Sequence, residues 1–304
     1  MRRQPLPPVL AGRAFRVREA RGLGMGQSRL YDTTMSRPTH GVRAAEAPAT
    51  VPDLARATAV GLPDDVTFSG LTAATIHRLR LPRSPSVDDN LEVMRDTTKA
   101  RIRRAGCVHH KGLEHRRVTV VNGLRVTDLV DTWCDLAARM SIEDLVVVGD
   151  SVANRFGSVE PLLEGLRRPR IRYADRLHRA ARWIRVGSRS HMESRVRLAI
   201  VWSGLPEPEL NVALDDDVGG WIGDGDLVWK SKRVVVEYQG KEHFTPSRGP
   251  MDIARREWAE ANRWTYIEIV ADDYYKPARR FDFLAKLARS LDQPVDADAS
   301  WRQR

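Results

Sequence analysis

Alternating and helically spaced apolar positions divide the chain into a succession of short elements. Residues 13–44 predict two short helices, around Val17 to Leu23 and Gly26 to Tyr31, broken at Gly24 and followed by the turn-and-strand stretch SRPTHGVRA. This pattern suits a small helix-turn-helix with a wing, or a plain helical hairpin packed on the next domain. Between Thr67 and Phe156 the pattern is mixed. Leu71 to Leu79 reads as a helix and EVMR, GCVHH and RVTVV as strands, with Asn122-Gly123 as a two-residue hairpin turn before LRVT. Two helices follow. The first has Thr127 as N-cap and buries Leu129, Val130, Trp133 and Leu136; the second has Ser141 as N-cap, with Asp144 three residues on. A helix from Leu166 to Arg185, with Leu177, Ala180, Ala181 and Ile184 as its apolar stripe, leads to the last third.

That last third predicts the order α-β-β-β-α-β-α. Its parts are a helix over Met192 to Ser203, strands ELNVAL, WIGDGDLVW and RVVVEYQG, a helix over Asp252 to Arg263, the strand TYIEIV and a closing helix over Pro277 to Leu291. A tight turn at Lys230-Ser231-Lys232 makes the second and third strands a hairpin. Turning about Ser231, it sets Asp226 opposite Val236 and Glu237 one step away, within reach of a bulge that brings the carboxylates together. Mg2+ takes one or two carboxylates plus waters and phosphate, so Asp226 and Glu237 suffice as metal ligands. The period of two puts Gln239, and beyond Gly240 also Lys241, on the face of Glu237. Gln239 would orient a metal-bound water and Lys241 would offset charge growing on a phosphate. The chemistry this set suits is phosphodiester hydrolysis with Mg2+ or Mn2+ as cofactor.

Charge points to the matching partner. The 304 residues carry 50 basic and 40 acidic side chains, a net +10. Residues 1–50 hold 9 and 3, residues 51–187 hold 23 and 17, and residues 188–304 hold 18 and 20. The surplus therefore lies outside the segment with the carboxylates. Its densest run is Leu166 to Arg185, where Arg172, Arg176, Arg179 and Arg182 are the candidate nucleic-acid contacts and Asp175 is the sole acid. The competing reading of that run is a solvated linker helix. Two cysteines, Cys107 and Cys134, fit a reducing compartment. Apolar stretches such as Leu145 to Val148 are far too short to span a bilayer, and the N-terminus lacks a secretory signal, so a cytoplasmic protein without membrane contact is expected. Cys107, His109, His110 and His115 carry zinc-binding groups, but adjacent strand histidines point to opposite faces and the spacing matches no zinc ribbon. Trp202, Trp221, Trp229, Trp258 and Trp264 read as packing residues rather than a base-stacking platform.

The runs GSRSHMESRVRLAIVWSGLPEPELNV, DGDLVWKSKRVVVEYQGKEHF and MDIARREWAEANRWTYIEIVADD resemble an endonuclease-like domain related to very-short-patch-repair endonucleases, in the PD-(D/E)xK superfamily. The resemblance covers residues 188–291. It implies Glu193 as the helix glutamate, Asp226 as the strand aspartate and Glu237 as the hairpin glutamate, with supporting roles for His243, Asp252, Arg255 and Arg256. Gln239 departs from the lysine of Glu-x-Lys, for which Lys241 is the substitute at hand. VTFSGLTAATIHRLRLP and VVNGLRVTDLVDTWCDLAA resemble the region of AbiEi-type antitoxin or transcriptional-regulator proteins. The fold class expected is α+β: a restriction-endonuclease-like α-β-β-β-α-β core at the C-terminus, after a small α+β domain and a short helical N-terminus. The segments are 1–50 (helical or winged-helix-like), 51–165 (AbiEi-like), 166–187 (Arg-rich linker helix), 188–291 (endonuclease-like) and 292–304 (flexible tail). The expected function is a metal-dependent DNA endonuclease, or a non-catalytic DNA-binding regulator that keeps a nuclease fold. DNA is the expected partner in both. A homodimer, and for an antitoxin-like protein a toxin, are the further partners these resemblances allow.

Overall fold

The computed structural model describes residues 5–169, 171–216, 219–240, 256–257 and 259–294, without the side chain of Ile222. The fold is α+β and forms two compact units, residues 1–141 with 164–177, and residues 142–163 with 178–304. Among the described residues no helix is long and apolar enough to cross a membrane.

The first unit opens with a small core of Leu10, Phe15, Ala20, Met25, Leu30 and Met35. Around it lie helices α1 (Val17–Gly22) and α2 (Gln27–Leu30), closed by strands β1 (Phe15–Arg16) and β2 (Val42–Arg43), which pair antiparallel. Helix α3 (Val51–Ala59) follows. Its start is written in the sequence: Thr50 accepts the Asp53 N–H, Pro52 sits in the first turn, and Asp53 favours the positive helix end. A five-stranded sheet runs β5-β4-β3-β7-β6, from strands β3 (Thr67–Phe68), β4 (Leu91–Arg95), β5 (Cys107–Lys111), β6 (Val118–Val121) and β7 (Leu124–Thr127). Asn122 and Gly123 both have positive φ at the β6–β7 turn, the backbone an Asn-Gly hairpin requires. Helices α4 (Gly70–Ile76) and α5 (Leu129–Leu136) complete this unit, and α7 (Glu160–Leu166) spans the division at Leu163/Glu164. The cap of α5 differs from expectation. Asp128, not Thr127, caps it by accepting the Asp131 N–H, while Thr127 ends β7 and bonds the Thr132 hydroxyl.

In the second unit α6 (Ile142–Phe156) packs against α9 (His191–Trp202). Strands β8 (Glu209–Asp215), β9 (Trp221–Trp229), β10 (Val234–Tyr238) and β11 (Thr265–Ile269) form a sheet in the order β11-β10-β9-β8. The first three are antiparallel, and β11 joins β10 in parallel after a crossover whose described residues 256–257 and 259–261 are helical. The closing helix spans Pro277–Ser290. One face of the sheet (Leu227, Trp229, Val234, Val236, Ile267 and Ile269) packs on α9 and the closing helix. Leu214, Val228, Val235 and Tyr266 occupy the other face with Ala259 and Trp264.

The Arg-rich run is not one helix. It breaks after α7, passes through Tyr173 at φ +57, and resumes as α8 (Ala174–Ala181). Pro169 stops the helix, since it has no N–H to continue the ladder and disfavours helical backbone at Arg168, and Arg168 pairs bidentately with the fully buried Asp131 at 2.8 and 3.0 Å. Trp221 also departs from expectation. It is 65% exposed, whereas Trp202, Trp229 and Trp264 are buried; Trp258 lies outside the described residues.

Candidate functional site

Helix α9 delivers Glu193. Ser190 caps the helix by accepting the Glu193 N–H at 3.1 Å, which fixes Glu193 in the first turn. Its buried carboxylate Oε2 accepts from the Arg189 N–H and from Asn211 Nδ2, both at 2.7 Å. The next residue, Ser194, donates to Asp150 of α6 at 2.7 Å. Asp150 also accepts from Arg197 at 3.0 Å and from the Arg185 N–H at 2.7 Å, and both Asp150 and Arg197 are fully buried. Burial pushes the Asp150 carboxyl up, against the pull of the Arg197 charge. The start of α9 is therefore anchored on both sides.

The hairpin register corrects the sequence expectation by one residue. The connection includes a single 3-10 turn over Lys230–Lys232 and Arg233 at φ +50, one residue more than the turn expected. Val236 consequently pairs with Leu227, the last pair of this ladder, so that Glu237 and Asp226 are the next residues on the two strands. Asp226 Oδ2 accepts the Tyr238 N–H at 3.0 Å, and Glu237 is buried.

Beside Asp226 on the other flank lies Asn211, between the rungs Leu210↔Leu227 and Val212↔Gly225. Both strands lose their in-out alternation at this rung while the pairing register runs on unchanged. Leu210 packs on the α9 face but Val212 on the opposite one, and Asn211 between them has φ +50. Likewise Leu227 is on the α9 face, whereas a Cβ on Gly225 would come within 2.6 and 2.7 Å of Val228 and Val235 on the other. Residues two apart in a regular strand share a face, so alternation is broken at Asn211 and Asp226 together. On the far side, Glu237 is in register with Glu268 of β11. The result is a row across four strands: Asn211 carrying Glu193, then Asp226, Glu237 and Glu268. Arg256 pairs with Glu268 at 3.4 Å and with Glu260 at 2.9 Å. The Gln239 N–H continues the ladder to Ile269 O at 2.8 Å. Lys241, His243, Asp252 and Arg255 lie outside the described residues.

Asp226 and Glu237, at the end of the β9–β10 ladder, are the residues that would hold a Mg2+ or Mn2+ taking its remaining ligands from water and phosphate. Among the described residues no group of three or more His, Cys, Asp or Glu is arranged to hold a metal. In β5, His110 Nε2 is bonded to Glu92 at 2.9 Å, and His109 Nδ1 accepts the Ile102 N–H at 3.4 Å.

Of the arginines singled out in the sequence, Arg172, Arg179 and Arg182 are exposed, while the Arg176 guanidinium is bound to Met140 O. A denser basic surface escaped the sequence reading. In the first unit an open groove of about 1100 Å3 is lined by Arg16, Arg18, Arg21, Arg37, Arg43 and Arg104, with Tyr31 and no acidic residue. Arg16 is bound to Val60 O and Leu62 O, Arg37 to Tyr31 O, Arg43 to Leu30 O and Val42 O, and Arg104 to His40 O, Gly61 O and the Thr39 hydroxyl. These partners orient the guanidinium groups without neutralising them. Arg37 and Arg43 both stack on Tyr31, with Cζ 5.7 and 4.8 Å from the ring centroid. Burial and the Arg37 charge both lower the pKa of Arg43. The one advance signal was the excess of 9 basic over 3 acidic groups in residues 1–50; Arg104 is distant in sequence.

Two uncharacterized proteins of Mycobacterium tuberculosis, Rv2248 of strain H37Rv and MT2308 of strain CDC 1551, are each 36% identical to this chain over 107 residues. The match spans 34% of this chain and 38% of each relative. No family model matches the chain, and no solved structure matches it.

Proposed function

We propose that the protein is a metal-dependent DNA endonuclease whose hydrolytic residues lie in the second unit and whose main DNA-binding surface lies in the first. The observation that carries this reading is that Asp226 and Glu237 follow directly on the last pair of the β9–β10 ladder, beside the rung where β8 and β9 lose their in-out alternation. These two would hold Mg2+ or Mn2+. Glu193, fixed by Asn211, and Gln239 flank them. When bound, the ion lowers the pKa of a water and stabilises negative charge on the phosphoryl oxygens. The protein's part is to hold the acidic groups in place and exclude competing geometries. The arginine groove supplies sequence-independent attraction for phosphates, and Tyr31 offers an aromatic face.

A DNA-binding regulator without turnover is the second reading, favoured by Gln239 in the lysine position and by a groove that needs no chemistry. A toxin partner would belong to that reading. Supercoiled-plasmid relaxation with Mg2+ or Mn2+ separates the two. The endonuclease reading expects nicking by wild type, loss of at least 100-fold in Asp226→Ala and Glu237→Ala, and a gain in Gln239→Lys. Nicking by neither metal form, or equal nicking by the alanine variants, overturns it.

A further inference from the structure

A second cavity, unrelated to the carboxylate row, lies in the first unit and has a volume of about 260 Å3. Two carboxylates reach it, and they are satisfied very differently. Glu92 accepts four hydrogen bonds: from His110 at 2.9 Å, from Arg139 at 3.0 and 2.8 Å, and from the Leu71 N–H at 3.0 Å. Burial pushes its carboxyl up, but these partners outweigh that and hold it below its ordinary value. Asp135 receives both of its bonds, from Arg116 Nε and Nη2 at 2.8 and 2.7 Å, on the single atom Oδ1. Its Oδ2 is buried and accepts no hydrogen bond. Ser69, fully buried in the same lining, has a hydroxyl that likewise bonds to nothing and does not cap α4. Buried polar atoms of this kind cost about 1–3 kcal/mol each unless something completes them.

The charges in the lining do not cancel. Arg116 is matched by Asp135 and Arg139 by Glu92, which leaves Arg172 and Lys111 without a carboxylate. Arg172 instead lies over the Tyr173 ring at 5.6 Å, and Lys111 Nζ reaches Thr97 O at 3.4 Å. The lining thus has excess positive charge and a free hydroxyl donor on one account, and an unmet buried acceptor on the other. We propose that this cavity binds a small molecule carrying both an anionic group, carboxylate or phosphate, and an N–H donor. The anion meets Arg172, Lys111 and the Ser69 hydroxyl, and the N–H meets Asp135 Oδ2.

The test is titration calorimetry on the full chain with two matched pairs of probes. L-glutamate is compared with glutarate, and O-phosphoethanolamine with monoethyl phosphate, so each pair differs by the amine and the two pairs separate carboxylate from phosphate. The proposal expects at least one amine-bearing probe to bind at least 10-fold more tightly than its amine-free match. Asp135→Asn should abolish that ratio. Arg172→Ala, at an exposed residue that leaves the fold untouched, should weaken both members of the pair at least 5-fold. Failure of both amine-bearing probes to bind, a ratio that survives in Asp135→Asn, or unchanged affinity in Arg172→Ala overturns it. None of these readouts involves DNA or a metal, so the outcome is independent of the endonuclease reading.

Discussion

Removing the three freely exposed arginines of the groove should change how DNA binding responds to salt more than it changes anything else. Arg18, Arg21 and Arg37 are exposed, whereas Arg43 is buried and Arg16 and Arg104 are half-buried and held by carbonyls. Replacing Arg104 would release Thr39, His40 and Gly61 as well as a charge. The triple variant R18A/R21A/R37A avoids that confusion. If each of the three neutralises one phosphate, the slope of log K against log salt concentration should become shallower by about 2.7. Across a fourfold rise in salt each such contact weakens binding by about 3.5-fold, so the wild type should lose about 40-fold more affinity than the variant from these three alone. Fluorescence anisotropy of a labelled duplex between 50 and 200 mM salt measures both slopes. The matched control is R172A/R179A/R182A, which removes the same charge from the run that looked denser in the sequence. A groove variant with the wild-type slope, or a control that flattens it more, would refute the assignment of DNA binding to the groove.

Two further predictions concern what holds the units together. Glu92→Gln should cost the first unit about 1.5–3 kcal/mol at neutral pH, the worth of hydrogen bonds to charged groups. Because the folded carboxyl is held below its ordinary 4.5, its contribution is present above that pH and is lost as pH falls through the lower folded value. The gap between wild type and Glu92→Gln in urea unfolding should therefore narrow below pH 4.5, and a gap that widens on acidification contradicts the linkage. Asp150→Ala, which leaves the buried Arg197 charge only its 3.1 Å pair with Glu207, should destabilise the second unit by about 3 kcal/mol, the lower end of the cost of breaking a buried pair. Arg197→Met in the same chain should recover part of that loss, read from the fluorescence of Trp183 and Trp202, whose rings meet edge to face at 6.2 Å. Strictly additive effects of the two changes would count against a coupled pair.

The elements that were legible in the sequence are those whose signals are local. Asn122-Gly123 specifies its turn by backbone preference alone, and α9 and the closing helix announce themselves through a capping serine and a proline in the first turn. The strands β8 to β11 and their sequence between α9 and the closing helix were readable for the same reason, whereas a short helix over Ala271–Tyr275 was not foreseen and most of the helix expected over Asp252 to Arg263 lies outside the described residues. What escaped depends on contacts distant along the chain. The capture of Arg168 by Asp131, 37 residues upstream, is one such contact, whereas the break in the Arg-rich run had a local signal, Pro169, that its helical spacing masked. The arginine groove draws on residues from Arg16 to Arg104, so no window of sequence contains it. The hairpin register hung on whether Arg233 belonged to the turn, a matter of one left-handed residue. Period-two reasoning then failed at Asp226, where the alternation itself slips.

That slip bears on what the carboxylate row is for. Both faces of the sheet are covered by apolar clusters, and a regular strand at this place would alternate between them without cost. Instead Asn211 adopts a left-handed backbone, which costs a non-glycine residue about 1–2 kcal/mol. Asp226 takes over the Tyr238 N–H, and Glu237 is buried to 6% exposure beside valines. A carboxylate in such surroundings lowers stability relative to an apolar residue of similar size, even when it is well bonded. Three departures from the cheapest sheet thus lie at neighbouring positions of β8, β9 and β10, each at an acidic or amide residue. Stability alone gives no reason for that placement, and the proposed cation site supplies one.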